Sequence, residues 1–183
     1  MHRLLILVFL FSAGCGSSSE KENTKSPEGQ SSKVITQEQH WPDGKLKARR
    51  EVTKDDKGKF IANGKATTWH QNGQVKWQGE YRDDRQVGKW TEWYENGSKE
   101  GEGEMNEDGT GFETHWYPNG KKKSEGGGKF LAKHGKAGKH GKWTIWHQDG
   151  HKLLETEYRD NQQHGITTKW HSNGKMSHQV LFK

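Results

Sequence analysis

The sequence contains little of what usually stabilises a globular domain. It has one cysteine and three prolines among 183 residues, and hydrophobic residues make up only 27% of the chain. A single cysteine excludes a disulfide framework within the chain, and the shortage of apolar residues argues against a thick, two-layered core. The chain has instead 24 glycines, nine tryptophans and 30% charged residues. This composition is typical of short strands joined by turns, with aromatic rings as the main apolar material.

The first residues have the pattern of an export signal. A short basic start precedes eight consecutive apolar residues, 4 to 11, a run much shorter than the roughly 20 residues of a membrane-spanning helix. Small residues then lead to Cys15, the only cysteine. This arrangement resembles a bacterial lipoprotein signal and implies removal of residues 1–14 and acylation of Cys15. An ordinary secretory signal with cleavage elsewhere is the alternative.

Residues 15–36 are predicted to be a disordered tether that begins at the lipidated cysteine. They are rich in Ser, Lys, Glu and Gly and contain almost no apolar side chains, so they cannot form a packed core. The residue after the cysteine is Gly16 rather than Asp, and in this the chain resembles lipoproteins that are sorted to an outer membrane. We therefore expect a folded domain that a flexible segment and a lipid attach to the bacterial cell envelope. Of the two membranes, we expect the outer one.

Residues 37–183 repeat the pattern G-x-x-T-x-W-[HY]-x-[ND]-G, which occurs at 64–73, 88–97, 111–120, 141–150 and 165–174. A degenerate copy ends at Gly44. The repeated tryptophans are Trp69, Trp93, Trp116, Trp146 and Trp170, and the closing glycines are Gly73, Gly97, Gly120, Gly150 and Gly174. Corresponding glycines lie 76 or 77 residues apart. The domain is therefore predicted to be two copies of a three-repeat unit, about 37–110 and 111–183.

Each repeat predicts a β-hairpin in which a Thr- and Trp-containing strand ends at the Asn-Gly or Asp-Gly turn. Pro42 and Pro118 precede Asp and Asn in two of the turns, and proline has no N–H for the strand ladder. This favours a three-residue loop with glycine in a left-handed conformation. Continuing that register predicts that the repeated tryptophans, and the threonines two residues before them, share a face with these apolar residues: Val75, Trp77, Tyr81, Leu154, Tyr158, Met176, Val180 and Phe182.

The repeat unit resembles the bacterial variant of the MORN repeat over roughly residues 40 to 183. The resemblance implies an all-β fold, a single-layered, twisted antiparallel meander of about six repeated β-hairpins. It also implies a scaffolding, protein-interaction or phospholipid-associated role, and some bacterial variants are antitoxin-like. The chain departs from the pattern in insertions at 51–63 and 125–140 and in the glycine-rich strand at 124–128, whose pairing the pattern leaves in doubt.

Two groups of residues are candidates for ligand binding. The first is a row of rings at one repeat position, where a spaced series can bind an extended peptide or glycan, or can simply cover the sheet: His70, Tyr94, Tyr117, His147 and His171. Tyrosine in two copies argues against a metal site, and no metal ligand set is predicted. The second is residues 129–142, predicted to be a flexible cationic loop that attracts phosphate, anionic lipid or acidic glycan, or is merely solvated: Lys133, His134, Lys136, Lys139 and His140.

The sequence contains no nucleophile motif, no H-E-x-x-H pattern and no phosphate-binding loop. We therefore expect neither catalytic residues nor a cofactor, and nucleic acid is a poor partner for an exported, tethered protein. The leading hypothesis is a non-catalytic, lipid-anchored envelope protein that presents its sheet to an unidentified protein or envelope polymer. The alternatives are a direct binder of anionic lipid or glycan, and an antitoxin or immunity-like protein.

Overall fold

The computed structural model describes residues 33–131 and 136–183. The predictions for the signal, for Cys15, for most of the tether and for Lys133 and His134 lie outside these described residues. The twelve strands are β1 (Ile35–His40), β2 (Leu46–Lys54), β3 (Phe60–Trp69), β4 (Val75–Arg82), β5 (Arg85–Trp93), β6 (Lys99–Met105), β7 (Thr110–Trp116), β8 (Lys122–Leu131), β9 (Lys136–Trp146), β10 (Lys152–Arg159), β11 (Gln162–Trp170) and β12 (Met176–Phe182).

All twelve strands form one antiparallel sheet in sequence order, from β1 to β12. The main contacts of every strand are with the strands before and after it, as expected for a repeat array in which each hairpin is buried by its neighbours. The predicted all-β meander of six hairpins is confirmed. None of the described chain forms an apolar helix of membrane-spanning length.

The turns that close the repeat pattern have the predicted geometry. The N–H of Gly73 donates to the carbonyl of His70, and the N–H of His70 donates to the carbonyl of Gln74, both at 2.9 Å. These bonds enclose a three-residue loop in which Gly73 has a φ of 90°, a conformation that glycine adopts without strain. Pro42 occupies the first central position of its turn, where the fixed φ of proline fits and no N–H is required.

The register beyond each of these turns differs from the prediction because a β-bulge follows the turn. Trp69 pairs with Val75 as expected, but the next pair is Thr68 with Trp77. Lys76 is therefore an extra residue, and the side chains beyond it change face relative to the partner strand. The equivalent shift occurs in all six hairpins.

The predicted common face is consequently wrong for most of its members. The repeated tryptophans face away from Trp77, because the bulge places Trp77 opposite Thr68. Nothing in the residue pattern marks the bulge, since a lysine, glutamate, leucine or serine can occupy the extra position. The residues that lie on the face opposite to the repeated tryptophans are Trp77, Tyr81, Leu154, Tyr158, Val180 and Phe182.

We call the face that carries Trp77, Trp90 and Trp143 the core face. A methyl group on Gly79 would come within 2.6 Å of the Trp77 ring, and one on Gly126 within 2.4 Å of the Trp143 ring. The rings therefore lie flat on backbone that only glycine leaves uncovered. This is how a single layer of sheet buries Trp143 to 2% exposure. The glycine-rich strand that the sequence left in doubt is β8, and it pairs with both β7 and β9.

The two insertions lengthen hairpins rather than forming free loops. β8 extends to Leu131, β9 begins at Lys136, and these two residues pair across the hairpin. The prediction of a flexible loop over 129–142 is therefore wrong for the described part of that segment. Pairing satisfies the backbone hydrogen-bonding groups of lysine and glycine as well as those of strand-forming residues, so low strand propensity did not prevent strand formation.

Two tight turns without glycine lie at the strand ends opposite to the Asn-Gly and Asp-Gly turns. Asp83 and Asp84 have φ values of 50° and 60°, and Asp160 and Asn161 have values of 48° and 71°. These turns belong to β4–β5 and to β10–β11, which lie 77 residues apart along the chain. The six strands β1–β6 correspond in order to the six strands β7–β12, and the duplication of a three-repeat unit stays a prediction.

Candidate interaction surface

The repeated tryptophans form a row on the face opposite to the core face. We call this row, Trp69, Trp93, Trp116, Trp146 and Trp170, the tryptophan row, and its face the row face. Each ring lies at the end of its strand, immediately before a turn, and each is half-buried. Successive tryptophans are two strands apart, which corresponds to a spacing of about 10 Å. The array therefore presents a periodic series of partly exposed indole rings.

Basic side chains cover four of the five rings. The ammonium groups of Lys99, Lys122 and Lys152 lie 5.5, 5.7 and 5.6 Å from the ring centres of Trp116, Trp146 and Trp170 in that order, and Arg49 lies 6.0 Å from Trp69. Each lysine pairs across its own hairpin with the preceding tryptophan of the row. It thus links two hairpins through a cation–π contact with the next ring.

The same three lysines form ion pairs with glutamates three residues further along the strand. The distances are 2.7 Å for Lys99 with Glu102, 2.6 Å for Lys122 with Glu125 and 2.9 Å for Lys152 with Glu155. Hydrogen bonds from Lys152 and Lys142 lower the pKa of the Glu155 carboxyl. The sequence carries a signal for this arrangement that we missed, because G-x-K-x-x-E follows three of the turns. The row face is therefore aromatic with closely balanced charge.

The predicted row of rings lies at the first residue of each turn and connects neighbouring hairpins. The Tyr94 hydroxyl donates to the carbonyl of Trp116 at 2.8 Å, and the Tyr117 hydroxyl donates to that of Trp146 at 2.7 Å. His70 Nε2 lies 2.8 Å from the carbonyl of Trp93. His147 Nε2 is buried without a hydrogen-bond partner among the described residues, whereas His171, in the last turn, is exposed. The polar atoms of three of these rings are thus occupied by the next hairpin.

The asparagines of the turns make a second connection along the same edge. The side-chain amide of Asn72 donates to the carbonyl of Glu95 at 2.8 Å, and that of Asn119 donates to the carbonyl of Gln148 at 3.0 Å. Asparagine therefore does more in this repeat than initiate a turn, because it bonds to the backbone of the following turn.

The structure separates the residues of the predicted cationic loop. The Lys139 ammonium lies on the core face, 4.1 Å from the ring centre of Trp143 and 5.0 Å from that of Tyr158, and burial lowers its pKa. His140 Nδ1 is 3.5 Å from a carboxylate oxygen of Asp160. The backbone of Lys136 pairs with that of Leu131. Lys139 is thus a packing residue, whereas His140 contacts the turn between β10 and β11.

Glu92 is a carboxylate on the core face, where it pairs with Trp77 and Gly101. Burial raises its pKa, and the nearby carboxylate of Glu100 raises it further. A carboxyl whose pKa is higher in the folded than in the unfolded state destabilises the fold at pH values above both pKa values. That penalty disappears as the pH falls below the ordinary glutamate value.

We expect Glu92→Gln to stabilise the protein by roughly 0.5 kcal/mol at pH 7, and to have no effect near pH 3. Chemical denaturation of both proteins at several pH values measures the difference. Glu95→Gln, in an exposed turn, is the matched control. A gain that is constant with pH would show that ionisation of Glu92 is not its cause.

Two recesses lie in the described surface. One of about 20 Å³ lies over Trp90 and Trp143, and one of about 490 Å³ lies on the row face near Ile166, between Lys142 and Gln179. Within residues 33–131 and 136–183, no three His, Cys, Asp or Glu side chains are grouped to hold a metal ion.

Two solved structures are distantly similar to this chain. One is a crystal structure of the GtfA/B complex bound to UDP and GlcNAc, at 9% identity and a TM-score of 0.24, with 82% of this chain and 29% of that chain covered. Another is a protein of unknown function from Bacteroides fragilis, at 9% identity and a TM-score of 0.20, with 82% and 93% covered. Likenesses at these TM-scores support no conclusion about this chain.

No curated protein matches the sequence. Four segments match the MORN repeat variant: residues 62–83, 86–107, 139–160 and 163–183. The matched segments fall on the hairpins β3–β4, β5–β6, β9–β10 and β11–β12, in corresponding places in the two halves. Each of these four hairpins is therefore similar to one repeat of the MORN variant.

Proposed function

We propose that the protein is a non-catalytic component of a bacterial cell envelope, anchored by lipid to the outer membrane. We further propose that the row face binds a protein partner. MORN repeats are generally protein- or membrane-interaction modules and are in general non-catalytic. The observation that supports this proposal is the tryptophan row, which extends along the array from Trp69 to Trp170.

The tryptophan row is less buried than Trp77 and Trp143 of the core face. Trp77 and Trp143 are buried against glycines of their own sheet, whereas the five rings of the row remain half-buried at the surface. Large aromatic side chains that stay partly exposed in a regular array are typical of binding surfaces, because they supply apolar contact area with little loss of conformational entropy.

The charge of the row face favours a protein over a polyanion. Lys99, Lys122 and Lys152 each have a glutamate within 3 Å, so they do not sum to a strongly positive potential. Binding to anionic lipid or acidic glycan relies on uncompensated cations. Aromatic rings among balanced charges match the composition of protein interfaces more closely.

A photoreactive amino acid at Trp116 is expected to form a cross-link to a protein of defined size in cells. The same amino acid at Tyr158, a half-buried ring on the core face, is the matched control and should give no such product. Mass spectrometry of the adduct distinguishes the alternatives. A lipid or glycan adduct at Trp116 would favour direct ligand binding, and equal protein adducts at both positions would exclude the row face as the binding surface.

Replacing Cys15 with alanine tests the anchor separately. We expect the native protein to have a mass that corresponds to cleavage before Cys15 with added acyl chains, and to sediment with membranes. Cys15→Ala should lack the acyl mass and lose membrane association, since stable anchoring needs more than one acyl chain or a second signal. Ser17→Ala is the control for a change in the same segment. An unacylated, soluble native protein would contradict the lipid anchor.

A further inference from the structure

Within the described residues, β1 and β12 are the two outermost strands of the sheet. β12 exposes three apolar side chains: Leu181 is 65% exposed, and Met176 and Val180 are also exposed. Edge strands in monomeric proteins commonly carry charges or proline, which discourage pairing with other chains. The corresponding strand inside the chain is β6, where Glu104 takes the place of Leu181. β12 is thus more apolar than β6.

The internal junction between the halves shows what can pair with this edge. β6 is the counterpart of β12, β7 is the counterpart of β1, and β6 pairs with β7. This pair is the only one among the described neighbouring strands without a shift in register. Its five residue pairs run from Gly101 with His115 to Met105 with Gly111. The β6–β7 pair is therefore an example, within this chain, of a counterpart of β12 paired with a counterpart of β1.

We propose that β12 of one molecule pairs with β1 of a second copy, head to tail, in the register of the β6–β7 junction. Transferring that register by the offsets of 77 and 76 residues gives the pairs His178 with Gln39, Gln179 with Glu38, Val180 with Gln37, Leu181 with Thr36, and Phe182 with Ile35. The most apolar pair, Phe182 with Ile35, lies at one end of the junction. No pair places like charges opposite each other.

A side chain that bonds across the β6–β7 junction has an exposed counterpart in the last hairpin. Tyr94 bonds from its turn to the carbonyl of Trp116, across the β6–β7 junction. Its counterpart, His171, is exposed. The residue that corresponds to Trp116 is His40, at the end of β1. In the proposed assembly the His171 ring reaches the carbonyl of His40 in the second copy.

The proposed contact joins two different edges, so it does not close on itself. A head-to-tail interface of this kind produces open chains of molecules rather than a symmetric dimer. No pair in the described sheet corresponds to β12 with β12, because β6, the counterpart of β12, pairs with β5 and β7.

Disulfide trapping tests the proposed register directly, since Cys15 is the only natural cysteine. In the full chain with Cys15→Ser, we expect Thr36→Cys combined with Leu181→Cys to give a ladder of dimers, trimers and larger species on non-reducing gels under mild oxidation. The combination of Gln39→Cys with Leu181→Cys moves one cysteine by about 10 Å along the strand, beyond the reach of a disulfide. That variant should give no ladder.

Single-cysteine variants separate head-to-tail from symmetric pairing. Leu181→Cys alone should remain monomeric, because its expected neighbour in the second copy is a threonine. Ile166→Ser, which removes an equally exposed apolar residue (60%) from β11 rather than from the edge, should leave the ladder of the Thr36 and Leu181 pair unchanged. Absence of that ladder, an equal ladder from the displaced pair, or a dominant dimer from Leu181→Cys alone would each overturn the proposal.

Discussion

Replacing Gly126 with alanine is expected to destabilise the protein by about 2–4 kcal/mol, among the largest effects of any methyl group added to the sheet. The new carbon would lie 2.4–2.5 Å from three atoms of the Trp143 indole. That ring is only 2% exposed and its Nε1 donates to the carbonyl of Gly127 at 2.7 Å. It can make room only by leaving its hydrogen bond and part of its apolar contact.

Gly128→Ala in the same strand is the matched control. Its nearest non-neighbouring atom would be 3.8 Å away, and its backbone is not in the left-handed region. Alanine there should be neutral or slightly stabilising, since it lowers the entropy of the unfolded chain. Urea denaturation followed by tryptophan fluorescence measures both variants. Equal stability of the two proteins would show that Trp143 does not need bare backbone beneath it.

The turn chemistry of this protein could be predicted from the sequence, but the faces of its strands could not. Proline before Asp or Asn selected a three-residue loop because proline lacks an N–H, and this local rule holds in the structure. The bulge at Lys76 is a property of the paired strands. It lets Trp69 remain on one face while Trp77 lies over Gly79 on the other. Such a choice depends on packing between strands, which periodicity within one strand does not report.

The same distinction applies to the candidate binding residues. The sequence showed that His70, Tyr94 and Tyr117 are equivalent, but not that the next hairpin supplies a carbonyl at hydrogen-bonding distance from each. Lys139 was grouped with its basic neighbours because it is close to them in sequence. Strand pairing instead places its ammonium over Trp143 and Tyr158. The repeat pattern therefore identified which residues are equivalent, whereas the contacts of each residue depended on which neighbouring strand the sheet supplied.

The tight turn at Asp84 gives the second large effect. The N–H of Asp84 donates to the carbonyl of Ala62 at 3.0 Å, and its carboxylate accepts the N–H of Ala62 at 2.7 Å. In the other half, Asn161 makes the same two contacts with Lys139, at 2.8 and 3.3 Å. Both residues have positive φ, a conformation that aspartate and asparagine tolerate better than most residues. Each turn is therefore hydrogen-bonded to the strand that precedes the two strands it joins: β3 for the Asp84 turn and β9 for the Asn161 turn.

We expect Asp84→Ala to destabilise the protein by about 2 kcal/mol, because alanine is strained at positive φ and leaves the N–H of Ala62 without its acceptor. Asp84→Asn should change stability by less than about 0.5 kcal/mol, since asparagine already occupies the equivalent position at 161. Asp84→Gly separates the two causes: it relieves the strain but not the lost hydrogen bond, so a loss of about 1 kcal/mol is expected. Thermal and urea denaturation of the three variants should give this order. If Asp84→Asn were as damaging as Asp84→Ala, the carboxylate charge rather than the shared geometry of the two halves would hold this turn in place.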